Sequence, residues 1–243
     1  MNSNILKECA LSEPCSYIDG LHQTLEYKII INASKEECEE YILRGWRRFG
    51  AMYFRPICHN CMACESLKID VFNFTPSKSQ RRIMRKNAHI DIIVRRPSVT
   101  TDHLELFDKY HKYKHATRDW DRHNTSISNY HSSFVHEHGE FGYEVLYFDN
   151  EKLIAVDLID LLDSGISALY CYYDPDYTHL SLGHYTLLRQ IALAKELKLP
   201  WIYLGYYVKE SKSLSYKADY KPLLNLDGRP DNESIPIWRS FNS

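Results

Sequence analysis

The feature that most restricts the fold lies in the second half of the chain. There YEVLYFDN, EKLIAVDLIDLLDSG and ISALYCYYDP follow one another with only DN and SG between them. Runs rich in β-branched and aromatic residues, joined by such short polar turns, read as consecutive strands. SLGHYTLLRQIALAKELKLP then changes period, turning Leu182, Tyr185, Leu188 and Ala192 to one side as a helix does, and WIYLGYYV returns to a strand. Strands, one helix and a returning strand require a sheet with a helix packed on it, an α+β arrangement.

The first half obeys the same local rules. LEYKIII reads as a strand, and GAMYFRP and SLKIDVF as two more. Ser34 stands three residues before Glu37, and Ser77 three before Gln80, so each pair predicts a capping box opening a helix. The second helix, SKSQRRIMRKNAH, puts Lys78, Arg81, Arg82, Arg85 and Lys86 on one side and Ile83, Met84 and Ala88 on the other. Leu104, Phe107 and Tyr110 have helical spacing, and Ser128 to His138 reads as a further helix. A boundary is expected near residue 98, between a basic, cysteine-bearing segment (1–98) and the strand-rich remainder (99–243).

Charge is unevenly laid out. The formal net charge of the 243 residues is −2, yet from Arg44 to Arg96 twelve cations face only Glu65, Asp70 and Asp91. That segment carries +9 and the remainder about −11. Such asymmetry suggests that one face meets a polyanion, with Arg47, Arg48, Lys78, Arg81, Arg82, Arg85 and Lys86 as candidate phosphate contacts; a solvated helix face is the plainer alternative. No apolar run is long enough to cross a bilayer, and the first residues lack a signal peptide's basic start and apolar core, which implies a cytoplasmic protein.

Seven cysteines in such a chain point to free thiols or metal ligands rather than a disulfide framework. Cys58, Cys61 and Cys64 form C-x-x-C-x-x-C, a spacing that lets several sulfurs reach one ion from a tight turn. A fourth ligand is then needed. Cys15 is the first choice, with His59 and Cys9 behind it. Zinc is favoured slightly over an iron–sulfur cluster, which uses similar spacing. Idle thiols or small packing residues are the alternative, and Cys38 and Cys171, in a helix and a strand, are read that way.

Taken together, CSYIDG, RGWRRFGAMYFRP with the three cysteines, FTPSKSQRRIMRKN, YYDPDYTHLSLGHY, YLGYYVKES and YKADYKP resemble the arginyl/leucyl-tRNA–protein transferase family, in that family's order and over nearly the entire chain. The short length and the SQRR–RKN helix are most similar to the bacterial aspartate/glutamate-specific leucyl branch. The resemblance implies a GNAT-like acyltransferase half behind a cysteine-bearing N-terminal domain. It also implies transfer of leucine from Leu-tRNA to the α-amine of proteins beginning with Asp or Glu, marking them for N-end-rule degradation. Ile18 replaces the second cysteine of the eukaryotic N-terminal motif, Ser211 stands where relatives often carry cysteine, and HATRDWD departs from the usual segment.

The donor of such a reaction is an activated ester and the acceptor an amine, so catalysis needs positioning, a base and oxyanion donors, with no covalent nucleophile and no required cofactor. Tyr170 and Asp174 are candidates to orient the amine. Ser181, with the backbone of Leu182 and Gly183, opens a helix suited to an anionic oxygen. Tyr206, Tyr207, Lys209, Tyr216 and Lys217 follow the last strand of the unit, and Lys209, Lys217 and Arg189 are candidates to read an acidic N-terminal side chain. Three other readings remain at this stage: an arginyl donor; an acetyl-CoA enzyme, disfavoured because Leu180 and Tyr185 break the pyrophosphate loop around Gly183; and a non-enzymatic metal-ribbon RNA-binding protein.

Overall fold

The computed structural model describes residues 4–118, 120 and 125–241. Two sheets account for the architecture. The smaller is antiparallel, in the order β1 (Asn4–Pro14), β2 (His22–Ile31), β4 (Met52–Pro56), β3 (Arg47–Phe49), with α1 (Lys35–Leu43) between β2 and β3. The larger has eight strands in the order β12 (Trp238–Ser240), β11 (Leu223–Leu226), β5 (Glu65–Asp70), β10 (Trp201–Tyr207), β9 (Gly165–Tyr173), β8 (Lys152–Leu161), β7 (Gly142–Asp149), β6 (Asp91–Arg95). α2 (Lys78–Lys86) joins β5 to β6, α3 (Thr101–Arg118) and the short α4 (Ile127–Tyr130) lie between β6 and β7, and α5 (Leu182–Glu196) joins β9 to β10.

Both expected capping boxes form: the Ser34 and Ser77 hydroxyls accept the amides three residues on, and Glu37 and Gln80 return the bond. The β7–β8 turn runs through Asn150 and Glu151, both with positive φ, which matches the twist of a two-residue hairpin. The helix expected over 128–138 is cut short. α4 ends at Tyr130 and the chain continues as a π turn over His131–Val135, closed by the His136 amide on the His131 carbonyl at 2.7 Å. Ala88, expected inward, is exposed, and Asn87 takes the buried place instead. The boundary near residue 98 does not separate the two sheets. β5, α2 and β6 precede it yet belong to the larger sheet, because β5 pairs with β10 and β11, and β6 with β7.

Each face of the larger sheet is covered differently. On one, α5 and α2 pack over Ile154, Ala155, Ile159, Ile166, Ile202 and Leu204. On the other, α3 packs over Val156, Leu158 and Tyr172. Beside α3 the small sheet and α1 bring Ile30, Ile42, Trp46 and Tyr53 against Phe141, Leu162 and Tyr203. An ion pair locks that second contact: Arg48 is 3% exposed and its guanidinium grips the fully buried Asp160 carboxylate of β8 in a two-point contact.

Among the described residues one neighbouring pair of strands in the larger sheet is parallel, and it governs everything that follows. β9 and β10 are registered at Gly165–Trp201, Ile166–Ile202 and Ser167–Tyr203, and no farther. Beyond those three pairs the strands are no longer paired and α5 bridges them, so that they part as a wedge in the direction of Tyr173 and Tyr207. This is the GNAT-like acyltransferase arrangement expected of the chain's second half. No helix among the described residues is long and apolar enough to span a membrane.

Candidate active site

Two diverging strands leave unpaired backbone carbonyls, which must find donors. Arg47, on β3 of the small sheet, supplies some of them. Its guanidinium donates to the Ala168 and Leu169 carbonyls (3.4 Å to the latter) and to the Ser167 hydroxyl at 3.3 Å. The opposite side of the wedge approaches closely: a Cβ on Gly205, whose φ is +70°, would stand 2.6 Å from Arg47 Nε. Lys217 fills the other edge, donating from Nζ to the Tyr206 carbonyl at 2.5 Å. Arg47 and Arg48, expected to face phosphate, are therefore interior residues, one plugging the wedge and one pinning the two sheets together.

Lys217 is the most unusual group in the wedge. It is 8% exposed, and no carboxylate pairs with it among the described residues. Burial, with the Arg47 charge beside it, pushes its ammonium down from 10.5 to about 7. An amine so placed is part neutral at neutral pH, within range of accepting a proton.

α5 provides the other wall. Ser181 precedes the helix in a left-handed conformation (φ 56°, ψ 46°), and its carbonyl accepts the His184 and Tyr185 amides. The Leu182 and Gly183 amides thus lie ahead of the helix's own ladder, where backbone donors suit developing negative charge. Gly183 admits the Tyr173 ring: a Cβ there would meet Tyr173 Cε1 at 3.2 Å. The turn over Ser215–Asp219 crosses the mouth. Its Tyr216 ring lies edge-on to His184 at 5.7 Å, and the Tyr220 hydroxyl bonds His184 Nδ1 at 2.8 Å.

The remaining expected residues divide by location. Tyr170 faces α3, its hydroxyl 2.9 Å from His111 Nε2 and its ring parallel to that imidazole. Asp174 is committed elsewhere. Burial raises its carboxyl, but Lys109 at 2.5 Å and Lys152 at 2.9 Å outweigh this and hold it below the usual range, and it also caps the 3-10 turn over Pro175–Leu180. It is a structural clasp rather than a group available to an amine. Tyr206 clamps the small sheet, donating to the Gly45 carbonyl at 2.9 Å, and the buried Tyr207 packs on Phe241. Lys209 is an exposed turn residue, whereas Arg189 lines a separate hollow with Met84, Asp91 and Tyr185.

One group that sequence reasoning missed lies directly under α5. Asp157 of β8 is fully buried and registers with Cys171 of β9. Tyr147 donates to it at 2.9 Å, and Cys171, Thr186 and Gln190 surround it. Burial raises its carboxyl above the usual range. The legible signal was an acid inside the apolar run IAVDLIDLL, since a carboxylate there must be paired or functional.

The cationic stripe of α2 reaches this same opening. Lys78, Arg81, Arg82, Arg85 and Lys86 are exposed, and none pairs with a carboxylate among the described residues. Lys86 Nζ donates to the His179 carbonyl at 2.6 Å and Asn87 Nδ2 to the Leu180 carbonyl at 2.9 Å. The stripe is thus tied to the chain immediately before Ser181.

The four cysteines expected to bind metal converge in part. Cys15, Cys58, Cys61 and Cys64 all line one cavity of about 160 Å³, which also touches Tyr206. The Thr24 amide donates to Cys58 Sγ at 3.4 Å, and Arg229 holds the Cys58 and Cys61 carbonyls. Burial and the three neighbouring thiols push Cys64 up to about 12. Among the described residues no group of three His, Cys, Asp or Glu side chains closes around a metal position.

Residues 102–227 match the family described as arginine-tRNA-protein transferase, C terminus, and residues 13–82 match its N-terminal counterpart. The chain belongs to the arginyl/leucyl-tRNA–protein transferase family. It is an aminoacyltransferase whose substrates are an aminoacyl-tRNA and a protein acceptor. An aspartate/glutamate leucyltransferase of Campylobacter jejuni (serotype O:23/36) is 46% identical over 231 residues, covering 95% of this chain and 97% of that one. The protein of the same name from Helicobacter hepaticus is 37% identical, covering 94% and 95%. Among solved structures, FemX superposes with a TM-score of 0.44 at 8% identity, covering 82% of this chain and 79% of its own, too loosely to weigh in the assignment. The Arg47-plugged wedge and the α2 stripe adjoin through the chain before Ser181, where Lys86 and Asn87 donate to the His179 and Leu180 carbonyls. HATRDWD lies only partly within the described residues, since Asp119 and Asp121 fall outside them.

Proposed function

We propose that the protein transfers leucine from Leu-tRNA to the α-amine of proteins beginning with Asp or Glu, the step that commits them to N-end-rule degradation. What carries the reading is the wedge itself: a parallel strand pair that parts beside a helix N-terminus, holds a buried amine with its proton affinity lowered to about 7, and adjoins an exposed cationic stripe. The stripe holds acceptor-arm phosphates through Lys78, Arg81, Arg82, Arg85 and Lys86, positioning the loaded 3′ end without reading sequence. The Leu182 and Gly183 amides face the ester oxygen. The incoming α-amine, ordinarily near 7.7–8 in pKa, is part neutral already. As it attacks the ester carbonyl, Lys217 takes the proton it loses, and the tRNA 3′ oxygen leaves with a proton returned from the same site. Asp157, buried under α5 with its carboxyl raised by desolvation, steadies Cys171 and Thr186 behind the reacting centre.

The relatives named aspartate/glutamate leucyltransferase support leucine over arginine. Cys15, Cys58, Cys61 and Cys64, which line one cavity, would be the residues to hold a structural zinc, which would supply no step of the transfer; their side chains would have to draw together to close around it. The deciding experiment incubates the purified protein with an Asp-starting peptide and either labelled Leu-tRNA or labelled Arg-tRNA. Labelled peptide is expected from the leucyl donor. Label from the arginyl donor alone, or from neither, overturns the reading, and RNA retention without turnover would favour a non-enzymatic binder.

A further inference from the structure

We infer that Lys114, backed by Arg118, binds the side-chain carboxylate of the acceptor's N-terminal Asp or Glu. The inference rests on the acceptor class proposed above and names the group that reads it.

Lys114 sits on α3, half-buried, with its ammonium over four aromatic rings: Tyr110 at 5.1 Å, Tyr173 at 5.6 Å, Trp120 at 5.7 Å and Tyr113 at 6.0 Å. Among the described residues its hydrogen bond goes to the Tyr173 hydroxyl at 3.5 Å. No carboxylate pairs with it among the described residues, although its neighbours on the helix are paired, Lys109 with Asp174 and Asp176, and Lys112 with Asp108. Arg118, one turn on and exposed, is a second cation close enough for its charge to act on Lys114. Rings stabilise an ammonium yet leave its remaining N–H donors unsatisfied. A partly desolvated cation without a counter-ion is costly on its own and well suited to an arriving anion.

Position selects which anion. Tyr173, which bonds Lys114, is the tyrosine whose ring rests on Gly183 at the start of α5. Lys114 is therefore one side chain away from the wedge mouth. It approaches from α3, on the sheet face opposite α2 and α5. If tRNA enters along α2, the acceptor peptide has the α3 side available, with its α-amine at the wedge and its first side chain against Lys114. An ammonium held among the rings of Tyr110, Tyr113, Trp120 and Tyr173 offers a single point charge, which suits one carboxylate better than a run of phosphates.

The test compares peptides beginning with Asp, Glu, Asn and Gln on the wild type, Lys114→Met, Lys114→Arg and Arg118→Gln, with Leu-tRNA affinity measured alongside. Lys114→Met keeps the stem's packing and removes the charge. It should raise KM for Asp and Glu peptides about 100-fold, erase most of the preference for Asp over Asn, and leave kcat and Leu-tRNA affinity within about twofold. Lys114→Arg should restore part of the preference, and Arg118→Gln should weaken it several-fold. An unchanged Asp-over-Asn preference in folded Lys114→Met overturns the inference, as does a loss confined to Leu-tRNA affinity, which would assign Lys114 to a phosphate. A wild type that donates arginine instead of leucine, yet loses acid preference on Lys114→Met, would refute the leucyl reading while supporting this one.

Discussion

Replacing Lys217 by Met separates stability from catalysis in opposite directions. The lysine is 8% exposed, and its folded pKa lies near 7 against an ordinary 10.5. Between those values the unfolded chain binds the proton and the folded chain does not, so folding stability rises with pH across that window. Below pH 7 both states are charged and the full burial penalty stands. The penalty is about 5 kcal/mol at pH 6 and about 2 kcal/mol at pH 9, falling towards zero above 10.5. Met has similar length and no charge, so Lys217→Met removes the penalty while losing the hydrogen bond to the Tyr206 carbonyl, worth roughly 1 kcal/mol at any pH. Urea denaturation should therefore find the variant more stable than wild type at pH 6, by about 3 kcal/mol more than at pH 9. Activity should move the other way. The wild-type rate should climb as pH rises through 7, and the variant should lose about 100-fold or more while keeping only the rise due to the acceptor amine. Equal stability differences at both pH values would refute the burial argument, and an unchanged pH–rate profile would remove Lys217 as the base.

Charge reversal at Arg81 and Arg82 should weaken Leu-tRNA binding and lower the salt dependence of log K by about two, leaving the denaturation midpoint nearly unchanged; equal affinity and slope at low salt would show that α2 does not meet phosphate. Gly205→Ala forces a side chain into left-handed backbone and against Arg47 Nε, and should cost about 2 kcal/mol or more in denaturation; Arg47→Met in the same chain should recover part of that loss, and strict additivity would refute the contact. Cys61→Ser should lower the melting temperature and abolish metal content if the four thiols share an ion, and elemental analysis finding neither zinc nor iron in the wild type would end that proposal.

Local chemistry was legible from the chain alone. Ser34 with Glu37 and Ser77 with Gln80 announce their helices, because a capping box is satisfied within four residues whatever surrounds it. Runs of β-branched and aromatic residues between short polar turns marked β7, β8 and β9, and the residues of α2 arrange its cations outward in advance of any fold. Motif order across the chain placed it in its family. What tertiary structure decided was the assignment of charge to inside or outside. Arg47 and Arg48 look like Arg81 and Arg82 in a composition count, yet they are interior because a diverging strand pair needs donors for its carbonyls and Asp160 needs a partner; both needs arise from segments some 110 to 120 residues away. Asp174 was taken into a clasp by Lys109 and Lys152 for the same reason, and Lys217, a site candidate in sequence with nothing to mark its proton affinity, had that affinity changed by burial beside Arg47. Hydrogen bonds within a turn of helix are written locally. The desolvation of a charge depends on everything packed around it, and only the folded chain sets that.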